Sequence, residues 1–397
     1  MPDSKPFSAC VLQVVPELDT GGVEQTTVDV AEAVVRAGGR SIVATWGGRL
    51  EDRLVKGGTT VVKMPVHSKN PFVQWRNKTT LKKLIRAEHV DIVHVRSRAP
   101  AMAALSAAKA CGVRSVTTYA GIYNAKSALK RWYNSQMTRA DMTIANSDFT
   151  RAHILSTYNI LPERVIAIPR GIDMKRFDPE AFDVTRVMAM EAKWGVTPDD
   201  DRIRFLLAAR LTRWKGQALI IQAAARLREL GVDNFVVLMA GDDQGRSDYT
   251  QSLQDAIDAF RLNDHVKLVG HCDDIPSAYT LSHYALAPSL EPEAFGRTAV
   301  EPQAMLRPPL AAAHGATAET VIPGETGWLV TPGDAEAWAL AMKTAIELPE
   351  ADRFAMGTSG RARVRDQFSL DVMCARTLDV YKALLILASG VYAASPH

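Results

Sequence analysis

No stretch of this sequence approaches the roughly 20 consecutive apolar residues that a membrane-spanning helix needs, so any membrane contact is peripheral. Cysteine is scarce. Cys10, Cys111, Cys272 and Cys374 are scattered without metal-like spacing, which argues against a disulfide scaffold or a structural zinc and for a reduced, cytoplasmic setting. The opening Met1-Pro2-Asp3-Ser4-Lys5 lacks the apolar core of a signal peptide, in keeping with that location. Charge of one sign is not in excess: a net charge of +3 over 397 residues does not imply a nucleic-acid partner. There are no repeats and no low-complexity segments. The glycines never fall as Gly-x-Gly-x-x-Gly, and no acid closes the second strand at Ser41 to Thr45, which argues against a nicotinamide enzyme. The spacing of a P-loop is missing as well.

What remains is a long chain, 47% hydrophobic, in which short apolar runs alternate with amphipathic helical patterns. That alternation predicts parallel sheets covered on both faces, and the length predicts two domains. Strands are expected at Ala9 to Pro16, Thr60 to Met64, Asp91 to Val95, Arg114 to Thr118, Met142 to Asn146 and Val165 to Ile168. The second domain opens at Ile203 to Ala209 and continues through Val236 to Ala240, Val266 to Val269, Pro309 to Ala312 and Gly324 to Val330. The boundaries expected are 1–180 for the first domain, 181–201 for an acid- and proline-rich linker around a short helix (Arg186 to Trp194), 202–368 for the second domain, and 369–397 for a long helix and tail.

The most informative run is Ala285 to Glu301. An apolar strand ends at Pro288, a loop carries Glu291 and Glu293, Gly296 lets the backbone approach something closely, and a helix begins near Arg297. The unpaired N–H groups of a helix start, with its dipole, favour an anion such as phosphate. Glu293 precedes those donors, and Glu301 is expected about two turns into the helix, roughly 12 Å further along its axis. That separation is too long for a general acid/base pair on one bond and suits carboxylates gripping the two ends of an extended ligand. On spacing alone, a solvated loop acid and a helix-surface acid are the simpler reading. A second strand end delivers Arg210-Leu211-Thr212-Arg213-Trp214-Lys215-Gly216, two fixed cations beside a helix start, a chemistry suited to a diphosphate or to an ordinary cationic surface.

The Glu293–Glu301 pair with Phe295-Gly296 between them, together with Arg210…Lys215-Gly216 and Gly21-Gly22, resembles the signature of retaining glycosyltransferases of family 4, the group that includes lipopolysaccharide-core glucosyltransferases. The resemblance implies the glycosyltransferase-B (GT-B) fold: two Rossmann-like domains facing across a cleft, with the C-terminal helix crossing back to the first. It further implies a UDP- or GDP-linked sugar as co-substrate and no metal or other cofactor. Arg210 and Lys215 would meet the diphosphate, Glu293 the donor sugar, and the backbone of Phe295, Gly296 and Arg297 the distal phosphate. Glu301 would hold the ribose hydroxyls, the loop at Ile275 would cup the base, and Gly21-Gly22 would lie opposite the donor phosphate. His271, Cys272, Asp273 and Asp274 sit too close together on one loop to make a convincing metal site.

The acceptor side departs from the pattern. Arg96 stands where the family often has a second His, and with Arg98 it makes a cationic strand end that favours an acidic or phosphorylated acceptor, unless local acids pair with them. Ala120 replaces the family's usual His before Gly121, leaving Tyr119 or Tyr123 to take its role, or the role unfilled. Ala316 and Leu306 stand where the family usually has Gly, and Arg170 where it more often has Asn. Cations mix with aromatics at His67 to Lys78 and again at Lys126 to Met137, a composition that suits either the inner membrane surface and a glycolipid or an ordinary half-buried helix. The reaction implied is sugar transfer to an envelope glycolipid or lipid-linked oligosaccharide, as in lipopolysaccharide or exopolysaccharide synthesis. A nucleotide-sugar 2-epimerase, a phosphorylase and a non-catalytic or weakly active sugar-nucleotide binder are the competing readings.

Overall fold

The computed structural model describes residues 7–388 apart from Thr20, Asn124, Lys126, Phe182, Pro198 and Arg246. The chain divides into two compact units: Met1–Gly171 with Leu370–His397, and Ile172–Ser369. The segment 172–201, which includes the stretch expected as a linker, belongs to the second unit. Its helix Val184–Trp194 is capped by the Asp183 side chain, and Trp194 is buried in that unit's core beside Leu206 and Val236. Thr20 and Lys126, both in segments singled out in the sequence, and the tail beyond 388 lie outside the described residues.

In the first unit, among the described residues, β1 (Cys10–Val14), β2 (Arg40–Thr45), β3 (Thr60–Lys63), β4 (Ile92–Val95), β5 (Arg114–Tyr119), β6 (Met142–Ala145) and β7 (Val165–Ala167) form one parallel sheet in the order β3-β2-β1-β4-β5-β6-β7. Successive side chains of a strand point to opposite faces, and both faces here are apolar. Cys10, Leu12 and Val14 join one core cluster, while Val11 joins another with Val30, Val34 and Tyr381. This is why the strands read as continuous apolar runs. The C-terminal helix Leu370–Ala388 supplies part of the second cluster through Met373, Cys374, Tyr381 and Leu384. Buried His94 fixes it in place: Nδ1 lies 2.6 Å from the Tyr381 hydroxyl.

The second unit repeats the plan with β8 (Ile203–Ala208), β9 (Phe235–Ala240), β10 (Val266–Gly270), β11 (Tyr284–Ala287), β12 (Pro309–Ala312) and β13 (Trp328–Val330), ordered β10-β9-β8-β11-β12-β13 and parallel throughout. Phe205 and Leu207 face one cluster, Leu206 the other. The helix Glu350–Gln367 packs on the helix Arg297–Ala304 and is not anticipated in the sequence, where its apolar positions are few. Leu306 has φ +59°, the left-handed backbone in which glycine is favoured, so the Gly that the family resemblance leads one to expect there would fit without strain. Ala316, by contrast, sits at φ −73° and needs no glycine.

His283 joins β8 to the turn before β11. Its Nδ1 accepts the Arg204 amide (2.8 Å) and its own amide donates to the Arg204 carbonyl (2.8 Å). Burial, followed by the nearby Arg353, Arg204 and Arg307, lowers its pKa from 6.5 to about 3. The folded chain therefore refuses a proton that the unfolded chain accepts below pH 6.5. This group leaves stability flat above about pH 6.5 and erodes it as pH falls, by about 2 kcal/mol between pH 6.5 and 5. His283→Asn, whose amide oxygen can take the place of Nδ1, is expected to flatten the decline in melting midpoint between pH 7 and 5; an unchanged slope would contradict this.

Candidate functional site

In each sheet the strand order reverses once, between β1 and β4 and between β8 and β11. Open α/β sheets bind ligands outside the carboxyl ends of their strands at such reversals. In the second unit, the loops leaving β8, β11 and β12 are fastened together by backbone contacts that only small residues permit. Gly216 has φ +80°, and a Cβ there would lie 2.2 Å from the Pro288 carbonyl oxygen. Gly315 has φ +62°, and a Cβ would lie 2.8 Å from the Glu293 backbone. Leu290 N–H donates to the Trp214 carbonyl (2.7 Å), Ala316 N–H to the Glu293 carbonyl (2.9 Å), and His314 Nε2 lies 2.8 Å from the Ser289 carbonyl.

These fastenings place Lys215 Nζ 2.7 Å from Glu293 Oε1, with only 11% and 12% of the two side chains exposed. The Ser289 hydroxyl also donates to Glu293 Oε1, and Nζ lies 4.3 Å from the centre of the Trp214 ring. Two residues expected to meet different parts of a ligand are thus in direct contact. Arg210 is exposed and makes no ion pair among the described residues. Arg213 instead sits 5.2 Å over the Tyr249 ring.

The helix Arg297–Ala304 starts at Gly296, φ +79°, with no side-chain cap on its first donors. Phe295 is buried against Phe368, which anchors the loop just ahead of them. Because the helix begins at Arg297, Glu301 lies about one turn in, not the two expected. There Arg297 Nε donates to its Oε1 at 2.7 Å. Ile275 opens a helix capped by Asp274, whose carboxylate is also held by Arg186 at 2.6 Å. His271 pairs with Asp273 (2.8 Å) on the surface. Among the described residues no three His, Cys, Asp or Glu side chains are grouped to hold a metal ion.

In the first unit, Gly21 caps the helix Gly22–Arg36 without any side-chain cap. A Cβ on Gly22 would lie 2.5 Å from Arg170 Nη1, so the bare backbone makes room for a guanidinium. Arg96 is buried. Arg98 stands over the Tyr123 ring at 3.9 Å and donates to Asn134 Oδ1 at 2.9 Å, so no acid neutralises it among these partners. Tyr119 is fully buried, its hydroxyl 3.0 Å from that of Tyr158, and burial pushes its pKa well up. It faces the core and does not stand in for the missing His; Tyr123 is the half-exposed one. The Ala120 carbonyl accepts from Asn146 Nδ2 and Arg170 Nη2. Ser289, His314 and Asn146 are absent from the expected site; as single polar residues after apolar strands, they carry no distinguishing spacing.

Residues 190–363 match the family model described as Glycosyl transferases group 1, and residues 20–176 match Glycosyltransferase Family 4. A solved glycosyltransferase from Rickettsia africae is 33% identical, covering 95% of this chain and 99% of its own, with a TM-score of 0.87. The chain belongs to the family 4 glycosyltransferases and has the GT-B fold. It is also 30% identical over 251 residues to a D-inositol 3-phosphate glycosyltransferase of Salinispora tropica, covering 62% of this chain and 51% of that protein. The chain thus spans about half the length of that relative. A GDP-mannose-dependent alpha-(1-6)-phosphatidylinositol monomannoside mannosyltransferase of Mycolicibacterium smegmatis is 24% identical over 383 residues, 91% of this chain and 94% of that one.

Removing one member of a nearly buried ion pair leaves the other uncompensated. Lys215→Ala and Glu293→Ala should each lower the thermal midpoint, and the double substitution should cost less than the sum, with a coupling of about 1–3 kcal/mol. Strict additivity in a thermal-denaturation cycle would show that the pair contributes no stability of its own.

Proposed function

We propose that this glycosyltransferase is a retaining, metal-independent hexosyltransferase that moves a sugar from a UDP- or GDP-linked donor to an envelope glycan or glycolipid. The observation that carries this reading is the meeting of Lys215, Glu293 and the uncapped helix start at Gly296, where the second sheet reverses its strand order. As the glycosidic C–O bond breaks, charge grows on the leaving diphosphate. Lys215, Arg210 and the first N–H groups of the helix Arg297–Ala304 stabilise it electrostatically. Fixed cations and dipoles thereby do the work that a divalent metal does elsewhere. Glu293, held by Lys215 and Ser289, is oriented toward the donor sugar, and Glu301 toward the ribose. No side chain serves as nucleophile; the leaving phosphate takes the acceptor's proton on the same face.

The names of the relatives support a nucleotide-sugar donor and a phosphorylated or lipid-linked acceptor. One observation favours a weaker alternative: the methyl group of Ala120 supplies no hydrogen bond where the family's His stands, as in a sugar-nucleotide binder of low activity.

A thermal-shift screen of UDP, GDP and their sugars is expected to raise the midpoint with one base, because a ligand of the native state stabilises it. Lys215→Ala should then lower turnover of that donor by about 10²–10³-fold, far more than it lowers stability. Turnover within a few-fold of the unmodified chain would contradict the assignment, and binding without any turnover would favour the low-activity alternative.

We infer that two helices of the first unit also suit contact with anionic lipid. On the helix Pro71–Ala87, Phe72 and Trp75 are 65% and 64% exposed beside Arg76; on the helix Ala128–Asn134, Leu129 is 74% exposed beside Lys130 and Arg131. No helix among the described residues is long and apolar enough to cross a membrane. Sedimentation with phosphatidylglycerol vesicles, and not with neutral phosphatidylcholine vesicles, is expected, with at least a tenfold loss on combining Trp75→Glu and Leu129→Glu. Equal binding by that variant would exclude this surface.

A further inference from the structure

Arg96 is only 3% exposed, yet among the described residues its positive charge has no counterion in contact. Nε donates to Thr27 Oγ1 (3.2 Å), Nη1 donates to Thr118 Oγ1 (3.1 Å) and lies 3.4 Å from His94 Nε2, and Nη2 is buried with no acceptor. Both hydroxyls are neutral. His94 cannot help by charge, since burial and Arg96 itself hold its pKa well below 6.5. The carboxylate that acts electrostatically on Arg96 is Asp29, which is already bound by Arg53 at 3.0 Å and Gln25 at 3.0 Å. A guanidinium stays protonated under all ordinary conditions, and an uncompensated buried charge is costly.

The unsatisfied Nη2 belongs to a side chain that lines a small cavity of about 20 Å³ in the first unit. Thr26 from the first turn of the uncapped helix Gly22–Arg36, Thr118, Asn146 and Arg170 line it too; no Asp or Glu does. Asn146 is 2% exposed. Its Nδ2 must be the atom that donates to the Ala120 carbonyl, so Oδ1 is the orphan, a buried acceptor without a donor. The volume is enough for about one oxygen atom. A water molecule there would satisfy hydrogen bonds and leave the charge uncancelled.

We propose that this cavity takes one oxygen of a phosphate or carboxylate borne by a hydroxylated molecule, with Arg96 Nη2 donating to the anion and Asn146 Oδ1 accepting from a neighbouring hydroxyl. On the glycosyltransferase reading above, that molecule is the acceptor, which is then a sugar phosphate or a uronic acid and not a neutral glycan. The anion site itself stands without that reading.

The test uses the full chain carrying Arg210→Ala, which weakens anion binding on the donor side, and titrates inorganic phosphate, glucose 6-phosphate, glucuronate and glucose by calorimetry and thermal shift. Saturable binding of the anions, and not of glucose, is expected. Adding Arg96→Met should weaken phosphate at least tenfold while holding or raising the midpoint without phosphate, because an unpaired charge has been removed. Thr26→Asp, which leaves Arg96 in place and sets a carboxylate on the cavity wall, should raise the midpoint and block phosphate. Tighter glucose 6-phosphate than glucuronate identifies the phosphate source, and the reverse identifies the carboxylate. Phosphate affinity unchanged by both Arg96→Met and Thr26→Asp overturns the proposal. Donor turnover, read separately in the chain with Arg210 intact as nucleoside diphosphate release, keeps the two claims apart: a protein that binds phosphate through Arg96 but whose Arg210-containing form never releases the nucleotide sinks the transferase reading alone.

Discussion

The contact between Lys215 and Glu293 is the constraint on which the second unit's site depends. It joins residues 78 apart in sequence, and it exists only because three loops leave adjacent parallel strands at the same edge. Each loop is held by a backbone approach that a side chain would block, at Gly216 against Pro288 and at Gly315 against Glu293. The ion pair is not there chiefly for stability, since a pair this well buried roughly offsets its own desolvation. Its value is positional. A carboxylate gripped by both a lysine and the Ser289 hydroxyl keeps one orientation, which is what selective recognition of a sugar ring requires.

Much of this architecture was legible in the sequence, because parallel strands buried on both faces must read as apolar runs and the helices between them must read as amphipathic. The strands of both sheets fall where such runs occur. The helix Glu350–Gln367 was not legible: it buries mainly Gly357, Gly360 and Val364, so it carries almost no apolar stripe. The short helix Val184–Trp194 reads as linker because prolines and acids flank it, yet Trp194 draws it into the second unit's core.

For the site, the family resemblance names candidate residues but not their partners. Lys215 and Glu293 were both identified, while the salt bridge between them depends on the folded loops. Tyr119 shows the converse. In the sequence it is a polar aromatic beside a missing His, and only the alternation along β5 decides that it turns inward to Tyr158. Arg96 was read as one of two similar cations at a strand end. The structure separates them: Arg98 is stacked on Tyr123 and bonded to Asn134, and Arg96 is buried beside neutral hydroxyls. Burial without a counterion is a property of three-dimensional packing that no spacing rule encodes.

The first unit is discontinuous, closed by a helix that is made after the whole of the second unit. His94 and Tyr381 are 287 residues apart, and the same helix covers Val11, Val30 and Ile92. During synthesis, the first sheet therefore waits with one apolar face only partly covered, by the helix Gly22–Arg36, until the whole second unit has left the ribosome. The second unit, contiguous from Ile172 to Ser369, has no such delay. Maturation of this protein is accordingly expected to run out of sequence order, with the later-made unit settling first and the earlier one dependent on chaperone protection until the helix Leu370–Ala388 arrives.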